Sequence, residues 1–66
     1  VSFKPEVQVF GSDNWVGNSL RFATREEADR YVVDLAMRWT AVRDVRVIEV
    51  DEPVTHYIAN NAIERL

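Results

Sequence analysis

Residues Thr24 to Trp39 constrain this chain most, because they read as one uninterrupted amphipathic helix with no Gly or Pro in the run. Ala28, Tyr31, Val32, Leu35, Ala36 and Trp39 recur at the three- and four-residue spacings that place side chains on one helix face. Thr24 stands where an N-cap belongs, and Glu27 three residues later completes the pattern of a capping box. Glu26 and Glu27 put negative charge at the positive end of the helix dipole. On the far side Glu26, Arg30, Asp34 and Arg38 alternate in sign four residues apart. Such pairs add roughly 0.2–0.5 kcal/mol each and keep the outer face in water. Val33 and Met37 fall near that charged side. Two scattered apolar residues are ordinary on a surface, so they are read as such in preference to a subunit contact.

A helix of this kind needs a sheet to cover, and the flanking segments supply strands. Phe3 to Phe10 alternates, with Phe3, Val7 and Val9 on one face and Lys4, Glu6, Gln8 and Phe10 on the other. Gly11-Ser12-Asp13-Asn14 has turn composition. Trp15 to Ala23 reads as a second strand, with Val16, Leu20 and Phe22 inward and Trp15, Ser19 and Arg21 outward. A four-residue loop predicts Phe10 opposite Trp15, Val9 opposite Val16, Val7 opposite Asn18 and Phe3 opposite Phe22. Asn18 then faces inward as a buried amide bonded to nearby backbone. Gly17 marks a bulge or a close approach by another group.

Val45 to Val50 reads as a third strand with apolar residues on both faces, ended by Asp51-Glu52-Pro53. The expected order is strand two, strand one, strand three, all antiparallel. That order requires Pro5 to lie outside the paired part of the central strand, since proline has no N–H to give a ladder. The tail is open to two readings. Asn60-Asn61 suits a two-residue hairpin turn between Thr55–Ala59 and Ala62–Arg65, whereas Asn61 with Glu64 suits a closing helical turn; the hairpin is preferred. The expected architecture is a single α+β domain over residues 1–66: ββαβ plus a small C-terminal hairpin, with one helix on one face of an antiparallel sheet.

Little here points to chemistry. His56 is the sole histidine, cysteine is absent, and no phosphate-binding glycine loop or metal-ligand cluster occurs. Asp51, Glu52 and His56 are close in sequence but read as a solvated strand end, so no catalytic residue, metal or cofactor is assigned. A net charge of −3 argues against general binding to nucleic acid or anionic membrane. No membrane-length apolar run or signal peptide is present, which is compatible with a cytoplasmic protein.

The candidate binding surface is the sheet face turned away from the helix, formed by Phe10, Trp15, Arg46, Ile48 and Val50. It is too apolar to stand bare on so short a chain. Three covers compete: the tail folding over it with Tyr57, Ile58 and Ile63, which is the structural default; a second subunit; or a bound partner. The functional expectation is a non-catalytic protein-interaction module, with self-association to a homodimer as one route. The alternative is single-stranded nucleic acid stacked on Phe10 and Trp15 with help from Arg46.

Pro5-Glu6-Val7, Trp15, Asn18 through Thr24, Glu27-Ala28, Asp34 through Thr40, Val42-Arg43, Arg46-Val47 and Pro53-Val54 together resemble a group of short, uncharacterised proteins of bacteria, phages and mobile elements. The resemblance spans most of the chain and implies a stand-alone cytoplasmic accessory protein. It carries no known activity or site residue.

Overall fold

The computed structural model describes residues 1–66. The helix forms where the spacing predicts it, as α1 over Arg25–Arg38. Thr24 is the N-cap, its hydroxyl oxygen accepting the Glu27 N–H at 3.2 Å. Only half of the expected capping box is made. One Glu27 oxygen takes the Thr24 hydroxyl at 3.0 Å, and the other accepts the backbone N–H of Ile58 at 3.0 Å. The carboxylate thus bridges the cap residue and the C-terminal tail, tying the tail to the helix.

Three strands make the main sheet: β1 (Ser2–Val9), β2 (Trp15–Gly17) and β3 (Val42–Val50), ordered β2-β1-β3 and antiparallel throughout. The tail is a second, two-stranded sheet of β4 (His56–Ala59) and β5 (Ala62–Arg65). Asn60 and Asn61 turn it with φ of 53° and 64°, the left-handed pair that a two-residue hairpin demands and that asparagine tolerates. The protein is α+β, with the predicted order of elements.

The predicted register of the first hairpin holds at one end and fails at the other. Phe3 pairs with Phe22, as expected, but Val7 pairs with Val16 and Gln8 with Trp15. Phe10 therefore does not face Trp15. Its N–H goes instead to the Ala41 carbonyl at 2.9 Å, and its side chain is 65% exposed. The displacement is two residues, so Trp15 and Val16 keep their predicted faces. β2 is correspondingly short, ending at Gly17 instead of running to Ala23.

Pro5 explains the displacement. Phe3 and Phe22 exchange both backbone hydrogen bonds (2.8 and 3.0 Å), so the odd-numbered residues of β1 direct their backbone groups toward β2. The missing N–H of Pro5 therefore points at β2 and not at β3. The β1–β3 ladder runs through Pro5, which sits opposite Val47, contrary to the expectation that it lies outside the paired region. On the other side Asn18 to Arg21 bulge out opposite Lys4 and Pro5, where one ladder donor does not exist. Asn18 is accordingly exposed, not buried: its Oδ1 accepts the Leu20 N–H and its Nδ2 donates to the Tyr31 hydroxyl, both at 2.9 Å.

β3 begins at Val42, three residues before the predicted start, and continues past a bulge opposite Gln8 and Val9. The core between helix and sheet is small. Val7, Phe22, Ala28 and Val32 are its buried apolar members, with the Phe22 and Tyr31 rings tilted at 5.7 Å. Leu35 and Ala36 are half-buried, and Trp39 at the helix C-cap is 43% exposed.

Gly17 lies close against β1. A Cβ there would meet Lys4 Cε at 2.9 Å and the Pro5 carbonyl oxygen at 3.2 Å. The lysine tip can move, but the strand backbone cannot. Gly17→Ala is expected to cost about 1–2 kcal/mol by overpacking, read as a lower urea midpoint with an unchanged m-value.

Candidate functional site

The sheet face turned away from the helix has its charged members engaged with one another. Glu6 and Arg46 are opposite in the β1–β3 register. Arg46 donates to Glu6 Oε1 from Nε at 2.7 Å and from a terminal nitrogen at 2.6 Å. Lys4 Nζ lies 3.2 Å from the other oxygen. The same guanidinium stacks 4.3 Å from the centre of the Trp15 ring, reaching diagonally over β1 to β2. Ile48 and Val50 lie on this face as predicted, opposite Lys4 and Ser2, and both are half-buried. Trp15, Arg46, Ile48 and Val50 are thus brought to one face, whereas Phe10 lies beyond the end of β1 and does not pair with Trp15.

The tail does not cover this face, which corrects the default expectation. β3 ends beside Ser2, while Thr55 is bonded to Arg21 on the opposite side of β1. Residues 51–54 therefore cross the end of the sheet, and Glu52 pairs there with Arg21. The hairpin then runs past the N-terminal half of the helix, where Ile58 meets Glu27. What closes the open face is its own long side chains. Glu6 and Gln8 are buried on this face, and Gln8 Nε2 donates to the Asp13 carbonyl at 2.9 Å. The stems of Lys4 and Arg46 and the indole of Trp15 make the roof.

Glu6 is the residue missed in the sequence. Burial alone would push its carboxyl up, but the hydrogen bonds from Arg46 and Lys4, with the attraction of their charges, outweigh this and hold it below its ordinary value of 4.5. Alternation placed Glu6 on this face. Its pairing with Arg46 depends on the β1–β3 register, which alternation alone does not set.

His56 takes part in the joint between the two sheets. Its Nδ1 lies 2.6 Å from Thr55 Oγ1, and its backbone N–H shares the Arg21 carbonyl with that of Thr55. Glu52 of the Asp51, Glu52 and His56 group is directed to Arg21.

The concave apolar surface lies elsewhere, around the helix. Between α1 and the hairpin is a cleft of about 470 Å³ with Tyr31, Val33, Met37, Ile58 and Ile63 in its wall and Asp29, Arg30 and Asn61 at its rim. Met37 is 78% exposed. The two residues read as scattered surface positions, Val33 and Met37, are here grouped with the isoleucines of the tail. A second cleft of about 250 Å³ opens between α1 and β2, with Val16, Leu35 and Trp39 around it and the core residues Val7 and Val32 at its floor. Tyr31 borders both.

The Glu6 network has a pH signature. Its folded value lies below the unfolded one, so its contribution to stability is full above about pH 4.5 and is lost as the pH falls through the folded value. Glu6→Gln should cost about 1–2 kcal/mol at pH 7, and the gap between variant and wild type should narrow as the pH is lowered below about 4.5 in urea unfolding.

No helix is long and apolar enough to cross a membrane. No protein-family model, curated protein or solved structure matches the chain.

Proposed function

We propose that this domain is a non-catalytic protein-interaction module that receives apolar side chains of a protein partner in the cleft between α1 and the C-terminal hairpin. The observation that carries the reading is the grouping of Val33, Met37 and Ile63, exposed apolar residues from separate parts of the chain, around one concavity of about 470 Å³. The size is that of a pocket that takes a few side chains or a small molecule. The rim carries Asp29 and Arg30, neither of which is in an ion pair within the chain. A charged rim around an apolar centre is the ordinary anatomy of a protein-binding patch.

Stacking of single-stranded nucleic acid is the weaker reading on physical grounds. It needs an aromatic face and a cation free to leave their neighbours. Arg46 already covers the Trp15 ring and is neutralised by the buried Glu6 carboxylate. Displacing it would strand that carboxylate without its partner.

Met37→Asp tests the main reading. It should shift folding stability by no more than about 0.5 kcal/mol, since the side chain touches little. Binding to a partner isolated with the wild-type domain should weaken by about tenfold or more in calorimetric titration. Unchanged affinity for both Met37→Asp and Ile63→Asp would remove this cleft as the binding surface. Oligonucleotide titration at low salt should leave the tryptophan fluorescence unaltered, and a saturable quench would restore the alternative.

A further inference from the structure

The two long edges of the main sheet are finished differently. In β3 the odd-numbered residues face outward, because their even-numbered neighbours pair with β1. Those outward groups are capped by side chains. The Val45 N–H donates to the neighbouring Asp44 Oδ1 at 2.8 Å, and Arg25 donates to the Val47 carbonyl at 3.2 Å. Arg43, Asp44 and Glu49 add charge along the same edge. These are the devices by which an edge strand refuses another strand.

β2 has none of them. Val16 spends its backbone groups on Val7, so those of Trp15 and Gly17 point outward. No side chain caps them, and residues 14–20 carry no charge. Beside this edge lies the smaller cleft, where the floor is the core itself: Val7 and Val32 lie beneath Val16, Leu35 and Trp39. Val16 is 47% exposed although it belongs to the helix-facing side of the sheet.

We infer that the partner for this edge is a second copy of the chain, paired antiparallel through β2 about a two-fold axis at Val16. The register is self-complementary. Val16 faces its own copy, and Trp15 lies opposite Gly17 of the other chain, so the indole meets a residue without a side chain. Trp15 and Gly17 then exchange both backbone bonds in each half. The three strands of each copy join into one six-stranded sheet with both helices on the same face. A stable pair needs roughly 800 Å² from each partner, under one fifth of the 4406 Å² surface of this chain. Three paired residues cannot supply that alone, so the flank of Leu35 and Trp39 must close over the core at the same time. The hairpin edge β5 is open too, but it carries Glu64 and Arg65 and sealing it would cover none of the core. This assembly leaves the cleft at Met37 free, so it goes beyond the function proposed above and stands or falls separately.

The absence of cysteine makes the test clean. Val16→Cys should form a disulfide-linked dimer under mild oxidation, because facing residues of a non-hydrogen-bonded antiparallel pair lie about 4.5 Å apart at Cα. Val45→Cys on the capped β3 edge should stay monomeric. Wild-type protein in sedimentation equilibrium should move from 7.7 kDa at high dilution to twice that mass, and Val16→Lys should hold the lower mass with the helical circular dichroism intact. Hydrogen exchange on the unmodified chain guards against a misfolded variant: the Trp15 and Gly17 amides should slow as concentration rises. A wild type that stays at 7.7 kDa up to millimolar concentration, a Val16→Lys chain that still doubles, or crosslinking at Val45 in place of Val16 would overturn the inference. Partner binding that is lost on Met37→Asp while the doubled mass persists would bear on the other cleft alone.

Discussion

The missing N–H of Pro5 is the constraint from which much of this structure follows. Proline in a central strand is tolerated only where its empty donor position faces a gap. Here it faces β2, and the gap is the four-residue excursion from Asn18 to Arg21. That excursion shortens β2 to three residues, brings Asn18 to the Tyr31 hydroxyl, and turns Arg21 toward the tail. Thr55 then bonds Arg21 and Leu66 at once and becomes the point where the two sheets meet. With a donor at position 5 the second strand could pair continuously to Phe22, and the flank of the helix would be covered.

The consequence is a core that is sealed on one side and open on the other. On the β3 side Arg25 lies 5.1 Å from the Phe3 ring centre and also holds the Val47 carbonyl, so one helix residue closes both ring and strand edge. On the β2 side no such residue exists, and Val16, Leu35 and Trp39 are left around a cleft that reaches Val7 and Val32. In a chain of 66 residues the surface is large relative to the interior, and apolar groups that do not reach the core remain at its margin. They gather into two clefts, both bordered by Tyr31.

The face opposite the helix solves the same shortage of material differently. With no layer above it, Glu6 is shielded by the side chains that neutralise it, and Trp15 is covered by the guanidinium that pairs with Glu6. Long amphipathic side chains here do the work of a missing element. The face that looks most like a binding platform in the sequence is therefore satisfied within the chain. The apolar surface that is not satisfied runs beside the helix.

Local rules were enough to read much of this from the letters. The helix with its Thr24 cap, the Asn60-Asn61 hairpin, the strand order and the face on which Trp15, Arg46, Ile48 and Val50 lie all follow from periodicity and turn chemistry, which act over a few residues. The faces of Trp15 and Val16 survived the register error because a displacement of two preserves alternation. What local rules do not contain is direction across strands. Whether the empty donor of Pro5 points at β2 or β3, whether Glu27 closes its own cap or reaches Ile58, and whether the tail passes over the open face or beside the helix are long-range choices. Each depends on which groups arrive together only after the chain has folded, and those choices decided that Val33, Met37 and Ile63 share a cleft and that Phe10 does not stand opposite Trp15.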